Sequence, residues 1–465
     1  MTRGAVSIVA LSLAPVAAAQ DVPTRADLAN AAGYVAQFTC SATFNGGKSP
    51  AQITADELTN IYPDYAPAMK AIGEADIERE GRTVSVSYAD DMPPRIAVYR
   101  PHLGCSSLPQ GATEKAAKRL PRAEVAAPSY GDMAWPTGDR LPNEDGLSDK
   151  QRDALDAVVD EAFAGGFDGV TSAVVVVMDG RVVAERYKVG FTPETSQRTW
   201  SVAKSIGATV VGAAVHDKII KTEDDKLLDA WSRPGDPRAD ITLDDLLRMA
   251  SGLNSDPAGN RTDAVYFGGG LVAQHATAAS LDAKPGTRWR YANNDTMLAL
   301  RALREAMDDD ERFHAYPFTE VLHRIGMTRT VPETDWGGDF VLSSQVWTTA
   351  RDLARLGMLY LQDGVWEGER ILPEGWAAYA SAESGPQPYG ETPPEDGSYR
   401  GYGAQFWTYH YPGVPTDTYA ALGNRGQFVI VVPSEETVIV RRGYDYAGER
   451  FDGPAFTAAV LEALR

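Results

Sequence analysis

Two side chains three residues apart carry the first chemical signal. Ser201 and Lys204 lie in Thr199-Trp200-Ser201-Val202-Ala203-Lys204, and Ile206, Ala208, Val210, Val211, Ala213 and Ala214 follow as small or apolar positions. That run predicts a buried helix. With Ser201 in its first turn, Lys204 falls on the same face, about 5–6 Å away between Cβ atoms. An amine at that range takes the hydroxyl proton once burial or a neighbouring cation makes it neutral. Thr199 is the expected N-cap. The helix start then aims N–H groups and a positive dipole end at whatever is bonded to Ser201. The plain alternative for so short a motif is a solvated Ser/Lys pair, so other stretches of the chain must decide.

Two stretches add to it. In Lys284-Pro285-Gly286-Thr287-Arg288-Trp289-Arg290-Tyr291-Ala292-Asn293, a Pro-Gly turn leads to Tyr291, and a helix is expected over 294–306. A tyrosine beside a lysine amine relays a proton to a leaving group, and an asparagine holds either an acyl carbonyl or the lysine. The bland reading is a packed loop tyrosine and a capping Asn293. In Leu422-Gly423-Asn424-Arg425-Gly426-Gln427, a tight turn between strands places backbone N–H groups at a sheet edge. Gly423 and Asn424 are the candidates to complete an oxyanion site with the Ser201 amide; the alternative is a simple hairpin turn.

The elements that must position these groups read as follows. Ser148 caps a helix over 150–164, stopped by Gly165-Gly166. A valine-rich run over 173–178, Asp179-Gly180, and a second run over 181–185 predict a hairpin. Residues 205 to about 400 read as helical patches and loops, including capped helices at 241–249 and 348–356. Strands return at 403–409, 418–422, 428–432 and 437–441, and a terminal helix at 454–464. The expected fold class is α/β (α+β): an antiparallel sheet from both ends of the region, flanked by its first and last helices, with a large mainly helical insertion. A site at the seam of the two lobes fits where pockets form. Loops at 254–270 and 384–401 are the expected pocket walls.

Composition bounds the rest. The 465 residues carry a formal charge of −20 with 43% hydrophobic and 23% charged positions, and no basic stripe, which excludes nucleic acid as an expected partner. The segment 1–19 has Arg3, an apolar stretch and a small-residue end, the pattern of a signal peptide. Its apolar run is too short to span a bilayer, so a periplasmic or secreted protein with no membrane span after cleavage is expected. Residues 20–125 form a small separate module without evident chemistry, with a short helix expected over 53–62; 126–147 is a linker or wrapping segment, and 148–465 the catalytic region. The only cysteines, Cys40 and Cys105, are expected to pair after export; two buried thiols are the alternative. His102, His216, His275, His314, His323 and His410 lack metal-ligand spacing. No Gly-x-Ser-x-Gly elbow or phosphate-binding loop occurs, so neither metal nor cofactor is expected.

Ser201-x-x-Lys204, Tyr291-x-Asn293 and a glycine strand near the end, in that order, resemble the class C β-lactamase and DD-peptidase superfamily. The phrases ITLDDLLRMASGL (241–253), PGTRWRYAN (285–293) and TARDLARLGMLYLQDG (349–364) resemble it too. Gly423-x-x-Gly426-Gln427 and the Arg351–Arg355 segment are similar to the 6-aminohexanoate-dimer hydrolase and esterase branch. The resemblance covers about 150–465 and implies a β-lactamase/transpeptidase-like fold with an acyl-enzyme on Ser201, Lys204 as base and Tyr291 as proton relay. It implies a small-molecule ester or linear amide as substrate. One departure matters: β-lactamases and DD-peptidases carry Lys-Thr-Gly or His-x-Gly where this chain has Ala421-Leu422-Gly423. The group that meets a β-lactam carboxylate is missing there, with Arg425 the nearest substitute. A β-lactamase, a DD-peptidase and a catalytically idle cell-wall binding homologue are the alternatives.

Overall fold

The computed structural model describes residues 22–126, 128–224, 226–255, 262–395 and 397–465. The expected signal peptide and the middle of the 254–270 loop lie outside these residues. The centre of the fold is a six-stranded antiparallel sheet. Its order from one edge is Trp407–Thr408, Tyr419–Gly423, Gln427–Val432, Thr437–Gly443, Thr171–Met178 and Arg181–Tyr187. Chain start and chain end of the catalytic region therefore meet in its middle, where Val440 pairs with Val175 and Ile439 with Val176.

Side chains alternate across this sheet, and both faces are covered, which is why its central strands read as unbroken valine runs. Val174, Val176, Ile430 and Ile439 pack with Leu155, Val159, Val460 and Leu461 from helices Asp149–Ala164 and Gly453–Leu464. Val175, Val177, Val429 and Val438 face the larger core under helices Val202–His216 and Ala350–Leu361. Gly357 lets the latter helix lie close, since a Cβ there would sit 2.5 Å from Val438. Thus the first and last helices cover one face, as expected, and a helix from the insertion covers the other. The 126–147 segment wraps rather than hangs free: Arg355 donates to the Pro136 and Gly138 carbonyls at 2.7 Å each and to Asp139.

Residues 25–107 form helix Arg25–Phe44 laid on a four-stranded antiparallel sheet ending in Gly104–Ser107, with Cys40 and Cys105 joined. The helix is buried almost throughout, because its other side packs on the catalytic region. There the buried carboxylate of Glu333 accepts hydrogen bonds from Ser41 Oγ (2.6 Å), Asn45 Nδ2 (2.9 Å) and the Cys105 amide (3.0 Å).

Several boundaries differ from expectation. The helix expected over 53–62 starts at Pro50, where Ser49 and Gln52 form a capping box, and ends as a π turn at Leu58. Asn60 then adopts a left-handed φ of 53°, and Pro63 disfavours helical backbone at Tyr62. The strand expected over 403–409 shrinks to Trp407–Thr408, with Gln405 at a φ of 64°. Thr242 caps its helix as expected, but that helix spans only Leu243–Leu247, and Met249 turns left-handed at 60°.

Candidate active site

Ser201 is set by a short strand and a strained turn. Gln197–Arg198 pairs with Val346–Thr348, and buried Arg442 donates to the carbonyls of Gln197, Arg198 and Thr348 at 2.8–3.1 Å. The sheet thereby holds the strand that delivers Ser201. Trp200 then takes a φ of 51°, a conformation costing about 1–3 kcal/mol in a non-glycine residue. The Arg198 guanidinium lies 3.7 Å from the Trp200 ring centroid and holds it there. The helix begins at Val202, so Ser201 itself is the N-cap residue, with no capping bond from its side chain. Thr199, the expected cap, stands before the turn and donates to the Trp200 carbonyl instead. The Ser201 hydroxyl is left for chemistry.

Lys204 is fully buried. Its Nζ lies 2.7 Å from Asn293 Oδ1, 2.7 Å from the Ser343 carbonyl and 3.3 Å from Ser201 Oγ. A neutral amine has two N–H donors and one lone pair. The two acceptors take the donors, and the lone pair is left facing Ser201 Oγ. Burial lowers the amine from 10.5 to about 7, while Asp295 pulls the other way. Asp295 is buried as well and pushed up to about 7, tempered by the Ser251 hydroxyl at 2.8 Å. Burial raises the Tyr291 phenol above its usual pKa, while the neighbouring Ser201 side chain pulls it the other way. The Tyr291 ring centroid is 4.9 Å from Lys204 Nζ and 5.4 Å from that of Trp407. Ser201, Lys204, Tyr291 and Asn293 thus converge on one point.

The third stretch closes the opposite side. Gly423 pairs with Gln427 across a turn in which Arg425 and Gly426 have φ of 57° and 73°. A Cβ on Gly423 would stand 2.4 Å from the Thr199 carbonyl and 3.2 Å from the Ser201 amide nitrogen. Only glycine lets the strand end approach the nucleophile this closely. Gly423 and Asn424 line one cavity with Ser201, Tyr291 and Asn293, of about 380 Å³, whose other walls include Tyr62, Trp200, Tyr266, Arg400, Trp407 and Leu422. Leu422 lines it as well but packs against the helices on the far side of the sheet, and Ala421 is buried in the sheet, so neither brings a cation or hydroxyl to the cavity. Arg425 does not line this cavity. Its guanidinium donates to the carbonyls of Asp445 (3.1 Å), Tyr444 (3.2 Å) and Asp56. Among the described residues, no cluster of His, Cys, Asp or Glu is placed to hold a metal ion, and no helix is long and apolar enough to cross a membrane.

A sequence profile of the Beta-lactamase family matches residues 155–441, more than half of the chain. The chain belongs to the Beta-lactamase family. It is a serine hydrolase of the superfamily that joins β-lactamases to esterases. The 6-aminohexanoate-dimer hydrolase of Paenarthrobacter ureafaciens is 24% identical over 303 residues, which span 58% of this chain and 72% of that enzyme. Among solved structures, a penicillin-binding protein homologue from Caulobacter crescentus superposes with a TM-score of 0.53 at 15% identity, covering 68% of this chain and 98% of that one. A family VIII carboxylesterase does so with a TM-score of 0.51 at 16% identity, covering 69% and 98%. These likenesses establish the β-lactamase/transpeptidase-like fold expected from the sequence.

In this member of the family, the loops expected at 254–270 and 384–401 do wall the cavity, through Tyr266, whose hydroxyl lies 2.7 Å from Ser343 Oγ, and Arg400. Sequence reasoning missed two other groups. The Ser343 carbonyl is a backbone group and leaves no trace in a motif, and Tyr62 fell in a module thought inert. The Asp295 signal was available: it stands two residues after Asn293, near the start of helix Asn293–Met307, whose inner face buries Met297, Leu298 and Leu300.

Proposed function

We propose that this protein is an exported esterase or linear amidase acting through an acyl-enzyme on Ser201. The Ser201 hydroxyl donates its proton to the Lys204 lone pair as Oγ attacks the substrate carbonyl. The carbonyl oxygen, now an alkoxide, is held by the amides of Ser201 and Asn424. As the intermediate collapses, Tyr291 passes the proton on to the leaving oxygen or nitrogen, and the acyl group stays on Oγ. Water, deprotonated by the same amine, then releases the acid and restores the serine. The observation that carries this reading is the setting of Lys204, whose Nζ lies 2.7 Å from each of two other acceptors and 3.3 Å from Ser201 Oγ, so that the neutral amine can give both N–H bonds away and turn its lone pair to the serine. An idle cell-wall binding homologue has no use for so complete a set. Export is supported by the Cys40–Cys105 bond, which oxidising compartments favour.

The ester or linear-amide preference rests on Ala421-Leu422-Gly423, a strand with neither a cation nor a hydroxyl. A cation or hydroxyl meeting a β-lactam carboxylate there contributes about 1.5–3 kcal/mol, so its absence costs about one to two decades in rate. The Paenarthrobacter relative, by its name, hydrolyses a dimer of 6-aminohexanoate, and a linear amide of that kind suits this wall. Fluorophosphonate labelling of the wild type and of Ser201→Ala tests the nucleophile; labelling retained by the variant refutes it. Side-by-side kcat/KM values for a p-nitrophenyl ester and a chromogenic cephalosporin test the preference. A cephalosporin favoured by about tenfold or more reverses it and points to a β-lactamase or DD-peptidase.

A further inference from the structure

The N-terminal module ends up beside the reaction centre. Tyr62 lines the cavity that holds Ser201. Asn60 and Ile61 line a second cavity of about 340 Å³, which shares Arg400, Gly423 and Asn424 with the first. The two cavities are therefore neighbours across Arg400, Gly423 and Asn424, and the module lines both.

The module's grip on the site is extensive. The Tyr62 ring packs edge-on against those of Trp200 (6.5 Å) and Tyr34 (5.2 Å). Phe38 lies 4.1 Å from the Arg198 guanidinium that holds Trp200. Tyr65 donates to Asp263 at 2.6 Å, and Arg95 donates to the Phe267 carbonyl at 2.8 Å, so the segment carrying Tyr266 is held from both ends. The Asp56 carbonyl accepts from Arg425, on the turn after Gly423. All these contacts come from outside residues 155–441, the span shared with the family.

We propose that the module is a working wall of the active site and that Tyr62, with Ile61 behind it, determines which groups flanking the scissile bond reach Ser201. This rests on the acyl-enzyme reading above. Tyr62 lines the first cavity, Asn60 and Ile61 the second, and Arg400 both, so groups extending from the reacting carbonyl toward the second cavity run along this segment of the module. Tyr62 is a specificity-determining residue in this assignment, and the chemistry stays with Ser201 and Lys204.

The test uses the full chain and two series of p-nitrophenyl and alkyl esters, one lengthening the acyl group and one the alcohol. Tyr62→Ala should raise kcat/KM for the longest member relative to the shortest, in one of the series, by about tenfold or more, the effect of relieving one or two misfit methylenes. Tyr62→Phe, which keeps the ring, should retain the wild-type profile. If loss of the ring unfolds the protein, Ile61→Ala carries the same test, with the longest members again gaining most. Uniform scaling across both series in the folded variants overturns the proposal. Fluorophosphonate labelling of each variant separates the two readings: labelled protein with an unchanged profile refutes the wall, whereas unlabelled wild type refutes the acyl-enzyme.

Discussion

Replacing Lys204 with Met isolates the cost of burying an amine beside the nucleophile. Burial lowers the Lys204 pKa from 10.5 to about 7 in the folded chain, whereas the unfolded chain keeps its ordinary value of about 10.4. Between about pH 7 and about pH 10 the unfolded state therefore binds a proton that the folded state does not, so stability rises with pH by about 1.4 kcal/mol per unit. Below about pH 7 both states are protonated and the full penalty, roughly 5 kcal/mol, is in force. Methionine fills a similar volume and does not titrate, so the difference between the two proteins isolates this amine. For 465 residues melting as a unit, an unfolding entropy of about 2.1 cal/mol/K per residue makes one degree worth about 1 kcal/mol. The wild type should therefore gain about 3 °C on Lys204→Met between about pH 7 and about pH 9. Calorimetric Tm values of both proteins across that range measure it, and a constant offset would refute a neutral, buried base. The same amine should make wild-type kcat/KM rise with pH and level off above an apparent pKa near 7, while the variant stays inactive throughout.

Tyr291→Phe should lower kcat by about 10²–10⁴-fold, with larger losses for amides than for activated aryl esters, whose leaving groups need no proton; an equal loss on both assigns Tyr291 to packing. Burial raises Glu333 from 4.5 to about 7, so from about pH 4.5 to about pH 7 the folded state holds a proton that the unfolded state has lost, and stability falls as pH rises. Thermal melts of wild type and Glu333→Gln should therefore diverge across that window by about 1.4 kcal/mol per pH unit in favour of the variant, and parallel curves would show that Glu333 is ionised in the fold.

The sheet and its covering helices were legible because their signals are local and periodic. Valine runs on both sides of Asp179-Gly180 and the Ser148 cap lie within a few residues of the structure they specify. Ser201, Lys204, Tyr291 and Asn293 could be picked out by type and order, and the fold brings them to one point. Thr199 was misplaced as the cap because the left-handed turn at Trp200 comes from tertiary support by Arg198 and Phe38, which local propensity does not register. The helix expected to reach Tyr62 ends at Leu58 for a local reason instead: Asn60 turns left-handed and Pro63 disfavours helical backbone at Tyr62. Arg425 was the nearest cation by sequence, yet it is engaged by three backbone carbonyls, while Arg400 reaches the cavity from a loop with no pattern to read.

The Glu333 cluster also sets an order of assembly. Ser41 and Asn45 leave the ribosome almost three hundred residues before the carboxylate that accepts their hydrogen bonds. Lys48 is buried against Glu57 and the Tyr444 hydroxyl, and that hydroxyl arrives nearly four hundred residues later. As an exported chain emerges N-terminus first into an oxidising compartment, the first helix can fold onto its own small sheet and close the Cys40–Cys105 bond, whose partners are 65 residues apart. Its outer face must then wait, exposed, for the last strands of the protein. A nascent or truncated chain carries that face open, and the disulfide keeps the half-finished module intact until the C-terminal strands arrive to cover it.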